Sequence, residues 1–392
     1  MMTCGSRVWR VAAVVGALWL AAAACHPQPP PGYGPIRVLA AFNLSGSDAE
    51  LDVAAFNGAR LAAQAINRNG GVRGRNLELV AVDTASNPRI AVQAVGRALD
   101  TESDIVAGIG YCDSTFADAV GALFQRAGIP FVSPGATDPR VPGRVGNEMF
   151  FAAFGDDAQA RVMAQYALEE LGLRRIAVWM DDRQDYTTTV ASYFVEAVEK
   201  LGGHSELHTE APAVSDFSRF IAQVKKTKPP FDAIYGATMP AQAAPFISQV
   251  REAGLDVPLL SGDGWDEAPV TELSRKSGIS DVYFTTHRFL GVDSTSMQSF
   301  VEAYQSAHGN PPSNAFAALG YDAVGLLADA MKRAGTTSPE AITQALASTT
   351  DYEGIVGPIH YSPGSRVPTK PVEVVRVDKG QKTAVWTATP SQ

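Results

Sequence analysis

The chain has 392 residues, of which 46% are apolar and 19% charged, and it carries a net charge of −9. That length suffices for two domains with separate cores, and the composition excludes a chain too polar to fold. The negative charge, with no basic block beyond the leader, excludes a nucleic-acid surface, because phosphate contact needs clustered Lys and Arg.

The first segment reads as a secretory leader. Arg7 and Arg10 precede a 14-residue apolar run from Val11 to Ala24, shorter than the ~20 residues needed to span a bilayer. It ends in Ala22-Ala23-Ala24-Cys25, similar to a bacterial lipobox, although Leu20 sits five residues before the cysteine where that pattern prefers Leu at three. Residues 1–25 are therefore expected to be a signal peptide with Cys25 as a lipidation site, plain cleavage after the alanines being the alternative. Residues 26–35 form a Pro-rich tether, extended and semi-rigid. Of the three cysteines, Cys4 leaves with the leader and Cys25 carries the lipid, so Cys112 alone remains in the body. One thiol excludes an internal disulfide framework and a Cys-rich metal site, and Cys112 is expected to be a small buried apolar residue.

From Ile36 strand and helix patterns alternate. IRVLAAF reads as a buried strand, NLSGSDAELD as a polar loop and Phe56 to Asn69 as an amphipathic helix stopped by Gly70-Gly71. LELVAVD is the next strand, Pro88 to Leu99 the next helix, and Ile105 to Thr137 a complete βαβ unit with a hydroxyl-bearing turn after each strand. Parallel strands present their carboxyl ends and the following helix N-termini on one sheet edge, where ligands bind. Asp113, Ser114, Ser133 and Thr137 are therefore expected to line one cleft. Around Phe150 to Asp157 the rhythm restarts, with RRIAVWMDD, FDAIYGA and VPLLSGDG as strands between helices. The tail holds the strand DVYFTTHRF, three helical stretches from Ser296 to Ser348, and a final pair, GPIHYSPGSRV and VEVVRVDKG, expected to form a hairpin. This C-terminal section is too long for a tail and too small for a third domain, so it is expected to divide between two lobes.

No catalytic motif is present: GIGYCD lacks the third glycine of a dinucleotide loop, and neither G-x-S-x-G nor H-E-x-x-H occurs. His204 and His208 lie in an expected glycine-flanked loop with no acids placed to complete a metal site. No cofactor is implied.

IRVLAAFNLSGSDAELDVAAFNGARLAAQAINRNGGVRGRNLELVAVDTASNPRIAV, AGIPFVSPGATDP, YALEELGLRRIAV and VGPIHYSPGSRV together resemble the type I periplasmic binding proteins, specifically the branched-chain amino-acid receptors of ABC transporters. The resemblance spans Ile36 to about Asp378. It implies two doubly wound α/β lobes joined by three crossovers, closing on a ligand by a hinge: 36–155 with about 286–356 as lobe 1, and 156–285 with about 357–386 as lobe 2. It implies a non-enzymatic receptor outside the cytoplasm, lipid-anchored to a bacterial membrane, that captures an amino acid or small amine and delivers it to an ABC permease. A ligand-sensing or protein-binding regulatory lipoprotein of the same fold is the alternative. Carried over residue by residue, Ser114 and Thr137, with the backbone of Gly135, hold the ligand carboxylate. Asp263 holds its ammonium, and Tyr186 contributes from the far lobe. Two family tyrosines fall on Leu51 and Met239, and a family cysteine falls on Ser86, so the first-lobe disulfide is missing. Trp265 is expected either on the cleft rim or in a lobe core. Asp113 departs from the small neutral residue usual there: either it turns outward as a helix cap, or the ligand carries extra positive charge or lacks a carboxylate.

Overall fold

The computed structural model describes residue 1 and residues 34–210, 215–292 and 294–390. The leader, Cys25 and most of the tether lie outside the described residues. Strand β1 (Ile36–Phe42) leads into helix α1 (Ala49–Arg68), which begins seven residues before the expected Phe56. Leu51, Ala54 and Ala55 are buried and extend the apolar stripe of the helix backwards through what reads in sequence as a loop. Then follow β2 (Leu77–Asp83), α2 (Pro88–Thr101), β3 (Ile105–Gly110), α3 (Ser114–Ala127), β4 (Phe131–Ser133), α4 (Val141–Val145) and β5 (Met149–Phe151). These strands form a sheet in the order β2-β1-β3-β4-β5, with every pairing parallel.

The second sheet is built from α5 (Asp156–Gln165), β6 (Arg175–Asp181), α6 (Asp185–Lys200), β7 (His204–Glu210), α7 (Ser218–Lys226), β8 (Ala233–Ala237), α8 (Pro240–Glu252), β9 (Leu259–Ser261), α9 (Ala268–Ser277) and β10 (Val282–Thr286). The chain then returns to the first lobe as α10 (Thr295–His308), α11 (Phe316–Ala334) and α12 (Pro339–Ala347), whose apolar faces join the core of β1 and α1. A small ribbon, β11 (Tyr352–Gly354) and β12 (Gly357–Ile359), precedes β13 (Val372–Asp378) and β14 (Gln381–Ala388). The second sheet runs β14-β13-β10-β9-β8-β6-β7, parallel from β10 to β7 and antiparallel at β13 and β14. Among the described residues the chain therefore crosses between the sheets three times, after Phe151, Thr286 and Ile359. The expected terminal hairpin is not formed. β12 pairs with β11, and β13 lies between β10 and β14, because QKTAVWTA supplies a strand partner only three residues on.

Each sheet is covered on both faces, as parallel strands with buried faces require. In the first lobe, α1 and α11 cover one face, while α2 and α3 pack with Tyr111, Phe124 and Phe131 on the other. In the second, Phe194 and Tyr235 mark the α5–α6 side, Trp179, Phe246 and Trp265 the opposite one. The contact of α1 with α11 depends on two glycines. A Cβ on Gly58 would fall 1.8 Å from the Ala317 carbonyl oxygen, and one on Gly320 1.9 Å from that of Ala55. Helix ends follow local chemistry. Asn87 caps α2 by accepting from Arg89 and Ile90 N–H, with Pro88 at the first position, and Gly128 ends α3 in the left-handed conformation.

His204 and His208 sit on the edge strand β7 rather than in a loop. His208 lies edge-on to Phe220 and contacts Gln223. No cluster of potential metal ligands occurs among the described residues, and no helix there is long and apolar enough to cross a membrane.

Candidate functional site

The carboxyl ends of both sheets face a small, partly enclosed cavity between the lobes, the position where ligands bind in open α/β sheets. From the first lobe it is lined by Asp48, Leu51 and Asp52 at the start of α1, by Cys112, Asp113 and Thr137, and by Phe316 of α11. The second lobe contributes Tyr186 of α6, Met239 and Pro240 before and at the start of α8, and Asp263 with Gly264. Leu51, Asp113, Thr137, Tyr186, Met239 and Asp263, all singled out in the sequence, thus meet on one wall or another.

Asp113 is shaped by the turn before it. Tyr111, buried, takes a left-handed φ of 61°, uncommon for an aromatic residue, and its carbonyl accepts from Ser133 Oγ at 2.8 Å. The turn places Asp113 as the cap of α3: its Oδ1 accepts from Thr115 N at 2.9 Å and Phe116 N at 3.2 Å. The residue nevertheless does not face bulk water. It is 9% exposed, and Oδ2 is buried with no hydrogen-bond partner. Asp113 is therefore both cap and cavity wall, which the sequence poses as alternatives. Burial, with Asp48 nearby, pushes its carboxyl up to about 7.

Asp52 plays a structural part. Its two oxygens accept from Asn43 N and Cys112 N, each at 2.7 Å, tying the end of β1 to the turn after β3. Burial pushes it up to about 7 even so. Cys112 is only partly buried and lines the cavity, a correction to its expected core position, while burial and the neighbouring carboxylates raise its thiol well above the ordinary range. Ser86, at the missing disulfide position, fastens the same loop by hydrogen bonds: Oγ donates to Ser45 O at 2.8 Å and accepts from Asp48 N at 2.9 Å.

Asp263 opens a single 3₁₀ turn, Asp263–Trp265, after β9. Oδ1 accepts from Gln159 Nε2 at 2.9 Å and Oδ2 lies 2.9 Å from His287 Nε2. His287 is buried, stacks on Phe154 with ring centroids 3.8 Å apart, and is held below its ordinary value by burial. The neutral ring therefore donates from Nε2. The same Gln159 amide reaches Asp156 Oδ1 at 2.8 Å, and burial together with Asp263 raises the Asp156 carboxyl well above the ordinary range. Neutral donors thus orient the Asp263 carboxylate without neutralising it. Tyr186 Oη accepts from Gly264 N at 3.0 Å and holds the turn from α6.

Three expected ligand contacts lie off the cavity wall, as does Ser133, expected to line the cleft but buried with its Oγ donating to Tyr111 O and accepting from Ala136 N. Ser114 is buried beneath the wall, its Oγ accepting from Thr137 N at 3.3 Å and Asp138 N at 3.1 Å. Gly135 packs where a Cβ would come within 2.6 Å of the Phe316 ring and 2.9 Å of Cys112 Sγ. Trp265 is fully buried in the second lobe against Phe246 and donates to Thr238 Oγ1 at 2.8 Å, because the 3₁₀ turn rotates it away from the cleft. Sequence reasoning missed Asp48, Asp52, Gln159, His287, Pro240 and Phe316. His287 carried a usable signal, since it directly follows β10 on the same sheet edge as Asp263; Gln159 carried none.

Two α/β lobes linked by three crossings, with a cavity of acidic and apolar side chains between their strand ends, define a two-lobed ligand-binding receptor. A family model described as periplasmic binding protein matches residues 35–382, and the chain belongs to that family. The chain is 26% identical over 353 residues to Leu/Ile/Val-binding protein homolog 3 of Brucella melitensis biotype 1, covering 89% of this chain and 93% of that one. Among solved structures it is similar to the substrate-binding protein LivJ of Streptococcus pneumoniae in complex with isoleucine, with a TM-score of 0.81, 27% identity and coverage of 91% of this chain and 100% of that one. It is similar also to the leucine-binding protein LivK of Thermotoga maritima, with a TM-score of 0.83, 28% identity and coverage of 91% and 99%.

Proposed function

We propose that the protein is an extracytoplasmic receptor that captures an amino acid or related small amine between its lobes and presents it to an ABC permease. The observation that carries this reading is Asp263, a buried carboxylate oriented by neutral donors and facing a small cavity shared by both lobes. A buried charge without a counter-ion is costly, so the site favours an ammonium group. The isoleucine complex of LivJ and the Leu/Ile/Val-binding relative support an amine-bearing ligand.

Lobe 1 would comprise 36–155 and about 286–361, and lobe 2 the remainder from 156; Ile359 and Tyr361 pack in the first core, which favours the later return. Closure is driven by the difference in ligand affinity between open and closed forms, and Asp263 and Tyr186, from the far lobe, would supply it. The receptor binds without chemical conversion. Lipidation at Cys25 would hold it at a membrane beside its permease, a role testable by the mass of the N-terminal peptide.

A thermal-denaturation screen against amino acids and small amines tests the reading. At least one compound should raise the melting temperature, and Asp263→Ala should abolish that rise. No rise across the whole panel overturns it.

A further inference from the structure

A helix N-terminus facing a cavity is the natural seat for a ligand carboxylate, because its first N–H groups lack partners and carry the positive end of the dipole. In this protein the seat is already filled. The N–H groups of Thr115 and Phe116 both donate to Asp113 Oδ1. Those of Thr137 and Asp138, in the next turn, both donate to Ser114 Oγ. Among the described residues no Lys or Arg lines the cavity. A ligand carboxylate would meet donors already engaged and the carboxyl groups of Asp48, Asp52 and Asp113.

The cavity is short of cations instead. Asp113 is 9% exposed, and its Oδ2 is buried without a hydrogen-bond partner. Besides the two capping N–H groups only the Thr115 hydroxyl lies near this carboxyl group as a donor among the described residues, and Oδ2 itself has no donor within hydrogen-bond geometry. Across the cleft Asp263 has only neutral donors, Gln159 and His287. Between these two acidic ends the wall is apolar, with Leu51, Met239, Pro240 and Phe316.

We propose that the cavity takes a small organic cation without a carboxylate, a short aliphatic diamine, with one ammonium on Asp263 and the other on Asp113 Oδ2. The hydrocarbon between them lies against Leu51, Met239 and Phe316. Such a ligand ties one lobe to the other through its two charges, so the closed form gains both contacts at once. The proposal rests on the receptor reading above and narrows its ligand class.

Calorimetric titration of the purified protein at pH 8 with 1,4-diaminobutane, L-leucine and L-lysine tests it. The diamine should bind at least 100-fold more tightly than leucine. Lysine, which has two ammonium groups but adds a carboxylate, should bind at least 10-fold more weakly than the diamine. Asp113→Asn, which keeps the cap and removes the charge, should weaken diamine binding at least 10-fold while the protein stays folded by its melting transition. Asp113→Gly frees the Thr115 and Phe116 N–H groups and should also improve leucine binding. Leucine or lysine binding the native protein as tightly as the diamine overturns the proposal and leaves the receptor reading standing. Absence of binding by all three overturns the proposal, and the receptor reading falls only if the wider panel of amino acids and amines is silent too.

Discussion

Arg140, beside α4 of the first lobe, donates from Nη2 to Thr189 Oγ1 of the second-lobe helix α6 at 2.5 Å. The same guanidinium is held by Asp138 through both carboxylate oxygens, at 2.8 and 3.0 Å. Arg144 adds a longer approach to Asp185 at 3.6 Å. These contacts join the first lobe to the second. Thr189→Val removes the acceptor at nearly constant volume. A hydrogen bond of this kind contributes about 1 kcal/mol net, so ligand affinity should fall about fivefold, and small-angle scattering should show a larger radius for the liganded variant at subsaturating ligand. Unchanged affinity would remove this bond from the closing energetics.

Asp263→Asn isolates charge from shape. The amide keeps an oxygen for Gln159 and turns its NH2 to His287 Nε2, which accepts once the ring carries its proton on Nδ1, so the melting temperature without ligand should hold. Binding of a cationic ligand should drop by about 3–5 kcal/mol, since an ammonium would then be buried without its partner. Calorimetry and thermal denaturation on the same sample separate the two effects. Equal loss of stability and affinity would place Asp263 in the framework rather than the site.

Two carboxyls held up to about 7, Asp52 and Asp113, make the ligand-free protein sensitive to pH. Burial is the main cause for both, and the ionisable groups facing Asp113 are Asp48, Asp52, Cys112 and Asp263. Between the ordinary carboxylate value and about 7 the folded state holds protons that the unfolded chain has released. Stability therefore falls as pH rises through that window, by about 1.4 kcal/mol per pH unit for each such group, and levels off above it. Urea midpoints measured from pH 5 to pH 8 should trace this slope for the native protein. Asp113→Asn should flatten it by about one group's share and be more stable than the native protein at pH 8. Parallel curves for the two proteins would contradict this assignment. A cationic ligand, which favours the ionised carboxylates, should bind more tightly at pH 8 than at pH 6.

Gly58→Ala addresses the packing of α1 on α11. The added Cβ meets a backbone carbonyl that cannot move without shifting the helix, so the gain in helix propensity is outweighed by overpacking of about 1–3 kcal/mol. The melting temperature should fall by several degrees. Because α1 carries Leu51 and Asp52 at its start, affinity should fall as well. A variant as stable as the native protein would show that the helices can separate freely.

The strand and helix rhythm was legible because each strand is a short apolar run and each helix carries a 3.6-residue stripe. Thr137 is legible because it follows a strand whose carboxyl end shares an edge with that of β3, whereas Tyr186 and Asp263 are reached through the family resemblance. What escaped was set by contacts distant in sequence or by small rotations. Gln159 reaches Asp263 across 104 residues, and nothing in DDAQAR marks it. Trp265 stands two residues from Asp263, yet one tight turn sends it into the core. Asp48 and Asp52 looked like loop residues because SGSD dominates the local pattern, whereas the helix starts immediately after Asp48. Asp113 was recognisable as a cap, but only the packing around it shows that the capping residue also faces the ligand space.

The three crossings govern how the molecule is made. A chain emerging from its N-terminus cannot complete the first core until Phe316–Ala334 arrives to cover α1, and the second sheet keeps an open edge at β10 until Val372–Ala388 pairs with it. Neither half is finished before almost the whole polypeptide is available, so both mature together through contacts of long sequence separation, a slow route. A chain that stays incompletely folded until its last strands appear has no ligand trap until its synthesis is nearly over.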